Sequence, residues 1–163
     1  MSNQIATNLL NPREKLGCEL AAEVLRAGGK LRLRVTGASM LPVVWPGDIL
    51  SIQGQDAAQA NPGDVVLFKR AGRLVAHRVV ERTLCQGEVQ WLTRGDTSPG
   101  NDAPVSGREL LGRVTGIERG HRRLTPQQSA AGRFIARMAR RSEFATRVFL
   151  WLNLRQLQYH RQH

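Results

Sequence analysis

Gly63-Asp64-Val65-Val66-Leu67-Phe68-Lys69 and, after a short break, Gly72-Arg73-Leu74-Val75-Ala76-His77-Arg78-Val79-Val80 decide the class of this fold. Each is a short run rich in β-branched residues, and the Ala-Gly-Arg between them is a turn signal. On the N-terminal side, Leu31, Leu33 and Val35 alternate with Arg32 and Arg34, a period of two. Ile49–Ile52, Val89–Thr93 and Leu110–Ile117 continue the series, separated by Pro-Gly-Asp and Arg-Gly-Asp-Thr turns. Half a dozen short strands between Lys30 and Arg119 predict a compact, mainly β, mainly antiparallel domain.

The flanks are helical in pattern. Residues 12–27 predict a helix, with Asn11 as N-cap, Pro12 at the first position and Gly28-Gly29 at the exit. Leu16, Leu20 and Val24 share one stripe, which is expected to pack on the domain. Residues 125–160 return to helical spacing. Ile135, Met138, Ser142, Ala145, Phe149 and Leu152 fall on one face, and Arg133, Arg137, Arg140, Phe144, Arg147, Trp151 and Arg155 on the other. The predicted organisation is an N-terminal helix in 1–29, a β domain in 30–120 and a basic amphipathic helical tail in 121–163.

Charge follows this division. The chain of 163 residues carries a net +11, of which residues 121–163 supply +8 through nine arginines against Glu143. Such a tail points to an anionic partner. Its interleaved aromatics favour an anionic membrane surface, contacted through residues 130–160, over nucleic acid. No apolar run approaches the roughly 18–20 residues of a membrane-crossing helix. The first residues have neither a basic n-region nor an apolar h-region. A cytoplasmic protein, peripheral on the inner face of the membrane, is the expectation. Cys18 and Cys85 form no disulfide framework and lack His or Cys neighbours at ligand spacing, so neither a metal nor another cofactor is expected.

Three polar segments interrupt the strands. In Thr36-Gly37-Ala38-Ser39-Met40-Leu41-Pro42, followed by Pro46-Gly47-Asp48, a serine follows a glycine that would let backbone N–H groups line an oxyanion site. His77 lies inside a strand, on the face of Val75 and Val79; an imidazole is the natural base for a serine that must lose its proton near neutral pH. Thr93-Arg94-Gly95-Asp96-Thr97-Ser98-Pro99-Gly100-Asn101-Asp102 holds two aspartates, and a carboxylate is what a serine–histidine pair needs to fix the imidazole tautomer. Each signal alone also fits a turn serine, a strand histidine and Asx-capped loops.

Taken in order, these segments resemble the S26 signal peptidases, in the endoplasmic-reticulum and archaeal type that uses histidine where the bacterial type uses lysine. The resemblance runs over about residues 33–119: Ser39-Met40-x-Pro42 with Gly47-Asp48, Gly63-Asp64-Val65-Val66-x-Phe68, Gly72-Arg73 before His77-Arg78-Val79, Leu92-Thr93-Arg94-Gly95-Asp96 with Asp102, and Leu111-Gly112-Arg113. It implies a signal-peptidase/SOS-repressor-like β domain and a serine endopeptidase that removes a leader or propeptide from a peptide or preprotein substrate after small residues. Ser39 would be the nucleophile, His77 the general base and Asp102 its orienting carboxylate. Asp96 would support the loop or replace Asp102 as third member. The backbone N–H groups of Ser39 and Gly37 would form the oxyanion site, because Gly37 stands where most signal peptidases carry a serine. Two further readings stay open: a non-catalytic peptide-binding module on the same fold, and an SOS-repressor-like regulator, for whose helix-turn-helix the 28 residues ahead of the strands leave no room.

Overall fold

The structure is a computed structural model that describes residues 12–54 and 57–126. Helix α1 (Pro12–Arg26) leads into β1 (Lys30–Arg34) and β2 (Ile49–Gln53), then a 3-10 turn at Ala57–Gln59. There follow β3 (Val65–Arg70), β4 (Arg73–Cys85), β5 (Glu88–Arg94), β6 (Val105–Ser106), β7 (Leu110–Arg119) and β8 (Arg122–Leu124). All pairings are antiparallel, in the order β1-β2-β7-β3-β4-β5-β6, with β8 on β7. The chain is therefore mainly β with one N-terminal helix among the described residues. None of their helices is long and apolar enough to cross a membrane.

Strand β3 explains the continuous run Val65–Phe68. It is buried on both faces: Val65 and Leu67 join Leu25, Leu50, Ile52 and Ile117 in one core, while Val66 and Phe68 join Val79, Trp91 and Leu110 in another. A strand covered on both sides has no polar face to alternate with. Each of these large side chains contributes about 1.5–3 kcal/mol on burial.

Two turns that share Pro-Gly-Asp bracket the part of the sheet that matters for the site. Trp45-Pro46-Gly47-Asp48 and Asn61-Pro62-Gly63-Asp64 each close with the aspartate N–H donating to the carbonyl three residues back, at 3.1 and 3.0 Å. Gly47 and Gly63 have φ of 97° and 98°, the left-handed region that a type II turn demands at its third position.

Long β4 changes partners midway. Arg73–Arg78 pair with β3, and pairing with β5 begins at Arg78, with a bulge between Val79 and Glu81. The edge of Arg73–His77 that faces away from β3 is therefore open, as is the outer edge of β1, which pairs with β2 alone.

Two expectations need correction. The α1 stripe does not pack inward: Leu16, Leu20 and Val24 are exposed, and Ala21, Ala22 and Leu25 are buried instead. The small-residue face lets the helix lie close to the sheet, an orientation held by Glu19 pairing with Lys69 and by Arg26 Nη2 donating to the Arg108 carbonyl at 3.3 Å. The β domain also does not end at 120, because Arg122–Leu124 return along Ile117–Arg119. The helix expected from 125 onward, the Asn11 N-cap and most of the basic tail lie outside the described residues.

Candidate active site

Ser39 lies in the loop between β1 and β2, a loop fixed from below. Asp48 is almost fully buried, and its carboxylate accepts the Trp45 N–H at 2.8 Å and two guanidinium N–H groups of Arg119 at 2.9 and 2.7 Å. Arg119 also donates to the Val43 carbonyl at 3.0 Å and stacks 5.6 Å from the Trp45 ring centroid. The Trp45 indole donates to the Pro42 carbonyl at 2.8 Å. Thus the far end of β7 holds the serine loop. The sequence gives the Asp48 turn, but nothing in it singles out Arg119 as the partner.

His77 sits where β4 passes from one neighbour to the next. Its ring meets Phe68 edge-on, centroids 6.1 Å apart at 68°. Nε2 is 2.9 Å from Ser39 Oγ and Nδ1 is 2.7 Å from Asp102 Oδ2. A carboxylate only accepts, so Nδ1 carries the proton and Nε2 is left to accept from the serine hydroxyl. The His77 side chain is 12% exposed and that of Asp102 23%, so the line of three is half-shielded from water.

Asp102 is itself docked on β5. The hydroxyl of fully buried Thr93 donates to Asp102 Oδ2 at 2.7 Å, and the Asp102 N–H donates to the Thr93 carbonyl at 2.8 Å. Arg70 holds the residues that follow, donating to the carbonyls of Ala103 and Pro104 at 2.8 and 2.9 Å. Burial works to raise the pKa of Glu109. Hydrogen bonds from the Ser106 N–H, the Ser106 hydroxyl and Arg70 outweigh it and leave the carboxyl below its usual range.

Of the two loop aspartates, then, the ring faces Asp102. Asp96 faces Arg78 instead, in a two-pronged pair at 2.9 and 2.8 Å whose side chains are 4% and 11% exposed. The same guanidinium donates to the carbonyls of Gly63 and Pro126 at 2.7 and 3.0 Å. Arg78 ties the aspartate loop to the strand that carries His77.

A methyl group added at Gly37 would touch no protein atom within 4 Å. The close approach is at Gly95, where a Cβ would lie 2.9 Å from the Ser39 carbonyl oxygen, 3.0 Å from Ser39 Cβ and 2.5 Å from Ser98 Oγ. Thr97 completes the contact, its N–H and hydroxyl donating to the Ser39 carbonyl at 2.9 and 3.1 Å. The Ser39 N–H donates to no carbonyl of the described residues.

Beside Ser39 opens a cleft of about 330 Å³ lined by Leu33–Gly37 on one wall and Arg73–Ala76 on the other, with Met40, Val44, Leu50 and Leu67 at its base. Its walls are the two open strand edges. Among the described residues, no group of three or more His, Cys, Asp or Glu could hold a metal ion. No family model, curated protein or solved structure matches the chain.

Proposed function

We propose that this protein is a serine endopeptidase of the signal-peptidase type, with a signal-peptidase-like β domain, acting through Ser39, His77 and Asp102. The observation that carries this reading is the continuous hydrogen-bonded line from Asp102 through the His77 ring to the Ser39 hydroxyl. Three separate stretches supply the line, and hydroxyl, imidazole and carboxylate stand in the order that acyl transfer requires.

In the proposed reaction Ser39 Oγ bonds to the carbonyl carbon of the scissile peptide as His77 Nε2 takes the hydroxyl proton. The resulting imidazolium is stabilised by Asp102, which remains ionised. The oxyanion accepts from backbone N–H groups, with Ser39 the donor best supported. Collapse breaks the C–N bond, and His77 returns the proton to the leaving amine. Water then attacks the Ser39 ester and loses its proton to His77; collapse breaks the bond from the acyl carbon to Oγ, His77 returns the proton to Oγ, and the new carboxyl product leaves. The substrate lies as an added strand between β1 and Arg73–His77, where its main chain pairs with edges that otherwise have no strand partner. By the resemblance, small side chains occupy the first and third positions before the cut. Residues 130–160, with their mixed arginine and aromatic pattern, would carry the enzyme to an anionic membrane surface.

A fluorophosphonate probe followed by peptide mapping tests the mechanism. The expected result is a phosphonyl group on Ser39 of the wild-type chain and none on Ser39→Ala, with His77→Ala labelling slowed by at least about 10³. Equal labelling of wild type and His77→Ala, or no labelling of a folded wild type, overturns it and leaves a peptide-binding module.

A further inference from the structure

The cleft beside Ser39 is apolar at its base, yet its rim carries charge of a single sign. Arg34, the last residue of β1, and Arg73, the first of β4, stand on opposite walls and are both exposed. Among the described residues no aspartate or glutamate lines the cleft, and neither guanidinium meets a carboxylate. Arg32, Arg70, Arg78, Arg113, Arg119 and Arg123, by contrast, each have an acidic partner. Two cations with no carboxylate partner among the described residues, on one peptide-sized cleft, set up a field that favours an anionic side chain.

Their distance from the reacting atoms follows from strand geometry. Arg73 precedes His77 by four residues on one strand, which at about 3.3 Å per residue sets it roughly 13 Å from the ring along the cleft. Arg34 precedes Ser39 by five residues on the facing wall. Both arginines line the same cleft beside Ser39. An extended peptide spans that distance with about four residues.

We infer that Arg34 and Arg73 make the cleft selective for peptides with an acidic side chain about four residues before the bond that is cut. The inference rests on the peptidase reading for its register, but the charge selectivity belongs to the cleft itself. It names a feature of the substrate that small residues next to the cut do not specify. Because the arginines are exposed, each pairing is worth little alone and weakens with salt. Two attractions gained with glutamate, against two repulsions with lysine, amount to a preference of about tenfold at low ionic strength.

The test uses fluorescein-labelled synthetic decapeptides with alanine at the first and third positions before the intended cut. They are otherwise identical, with glutamate, glutamine or lysine scanned through the preceding positions. Binding is read by anisotropy on full-length Ser39→Ala, and cleavage by mass spectrometry on the wild-type chain. The expected result is tightest binding of the glutamate peptide, about tenfold over lysine, falling as sodium chloride rises from about 50 to about 500 mM. The Arg34→Glu/Arg73→Glu protein should invert that order, and Arg34→Gln/Arg73→Gln should level it, each with an unchanged melting transition. Equal binding of the three peptides at every scanned position, no binding of any, or a preference that survives both double variants overturns the inference. A glutamate preference in binding with no cleavage by the wild type sustains the cleft's selectivity and removes the peptidase reading. Cleavage of all three peptides at one rate does the reverse.

Discussion

Thr93 and Asp102 are joined twice, by the threonine hydroxyl to Oδ2 at 2.7 Å and by the aspartate N–H to the threonine carbonyl at 2.8 Å. The hydroxyl shares Oδ2 with His77 Nδ1, so the carboxylate that orients the imidazole is itself oriented by a fully buried residue of β5. Thr93→Val keeps the side-chain shape and deletes the donor. A hydrogen bond to a charged group contributes about 1.5–3 kcal/mol. On the proposed mechanism kcat should fall at least about tenfold with KM unchanged, and Thr93→Ser should stay within about threefold of wild type. Steady-state kinetics on the same peptide separates the cases: an equal loss in both variants would mean that the methyl group matters and not the hydroxyl.

The two loop aspartates should fail in different ways. Asp102→Asn removes the negative charge and lets an amide N–H face His77 Nδ1, which favours the wrong tautomer; comparable replacements in serine–histidine–aspartate hydrolases cost about 10⁴ in kcat. Its melting temperature should stay near that of the wild type. Asp96→Asn leaves the Arg78 guanidinium buried without its countercharge, a loss of about 3–5 kcal/mol. Denaturant melts and fluorophosphonate labelling, run on both variants, should show one stable and unreactive protein and one destabilised protein. A stable, unreactive Asp96→Asn would reverse the assignment.

The parts of this fold written in the sequence are those set by local chemistry. Val65–Phe68 could be read as a buried strand because β-branched side chains suit a pleated surface, and Pro-Gly-Asp as a turn because proline and glycine each supply one of its dihedrals. Strands β6 and β8, of two and three residues, are too short for any period to register. The exposed α1 stripe misled because apolar spacing tells which residues share a face, not which face the sheet will accept. The site behaved likewise. Ser39, His77 and the loop aspartates stand out as residue types, but the choice between Asp102 and Asp96 depends on how the loop is laid over β5. Thr93, Arg78 and Arg119 carry no signal of their own, since their roles come from partners 9, 18 and 71 positions away.

Arg119 offers a test of whether the floor of the serine loop holds that loop in place. Asp48 is 3% exposed and holds Arg119, whose side chain is 40% exposed. Arg119→Ala would leave that carboxylate with the Trp45 N–H alone. The expected loss is about 2–3 kcal/mol, below the range for a pair buried on both sides. Urea unfolding should report that loss, and limited proteolysis should find new cuts within 36–48. Unchanged stability would mean that water replaces the guanidinium at no cost.

Acid should unfold the chain partly through Glu109. Its folded pKa lies below the ordinary 4.5, because bonds from Ser106 and Arg70 overcome the opposing effect of burial. A carboxylate with a lowered folded pKa adds stability that is complete above the unfolded value and lost as pH falls through the folded one. Wild type should therefore melt above Glu109→Gln at neutral pH, and the gap should close as pH drops below about 4.5. Calorimetric melts at a series of pH values measure it; a gap that stays constant into strong acid would show that the difference between the variants does not come from ionisation.

Two glycines near the serine make opposite predictions for the same substitution. At Gly37 an added methyl group meets nothing within 4 Å and φ is not in the left-handed range, so Gly37→Ala should leave stability within about 0.5 kcal/mol or raise it slightly. At Gly95 the methyl group would stand 2.9 Å from the Ser39 carbonyl and 2.5 Å from Ser98 Oγ. Ser98 could rotate away; the Ser39 backbone, held by both donors of Thr97, could not do so without moving Oγ from its 2.9 Å contact with His77. Gly95→Ala should thus lower fluorophosphonate labelling of Ser39 by at least about tenfold, since misplacing a reacting group by about 1 Å can cost about 10² in rate. Labelling rates and chemical unfolding of the two variants decide the matter. If Gly95→Ala reacts as fast as wild type, the aspartate loop does not set the position of Ser39 Oγ.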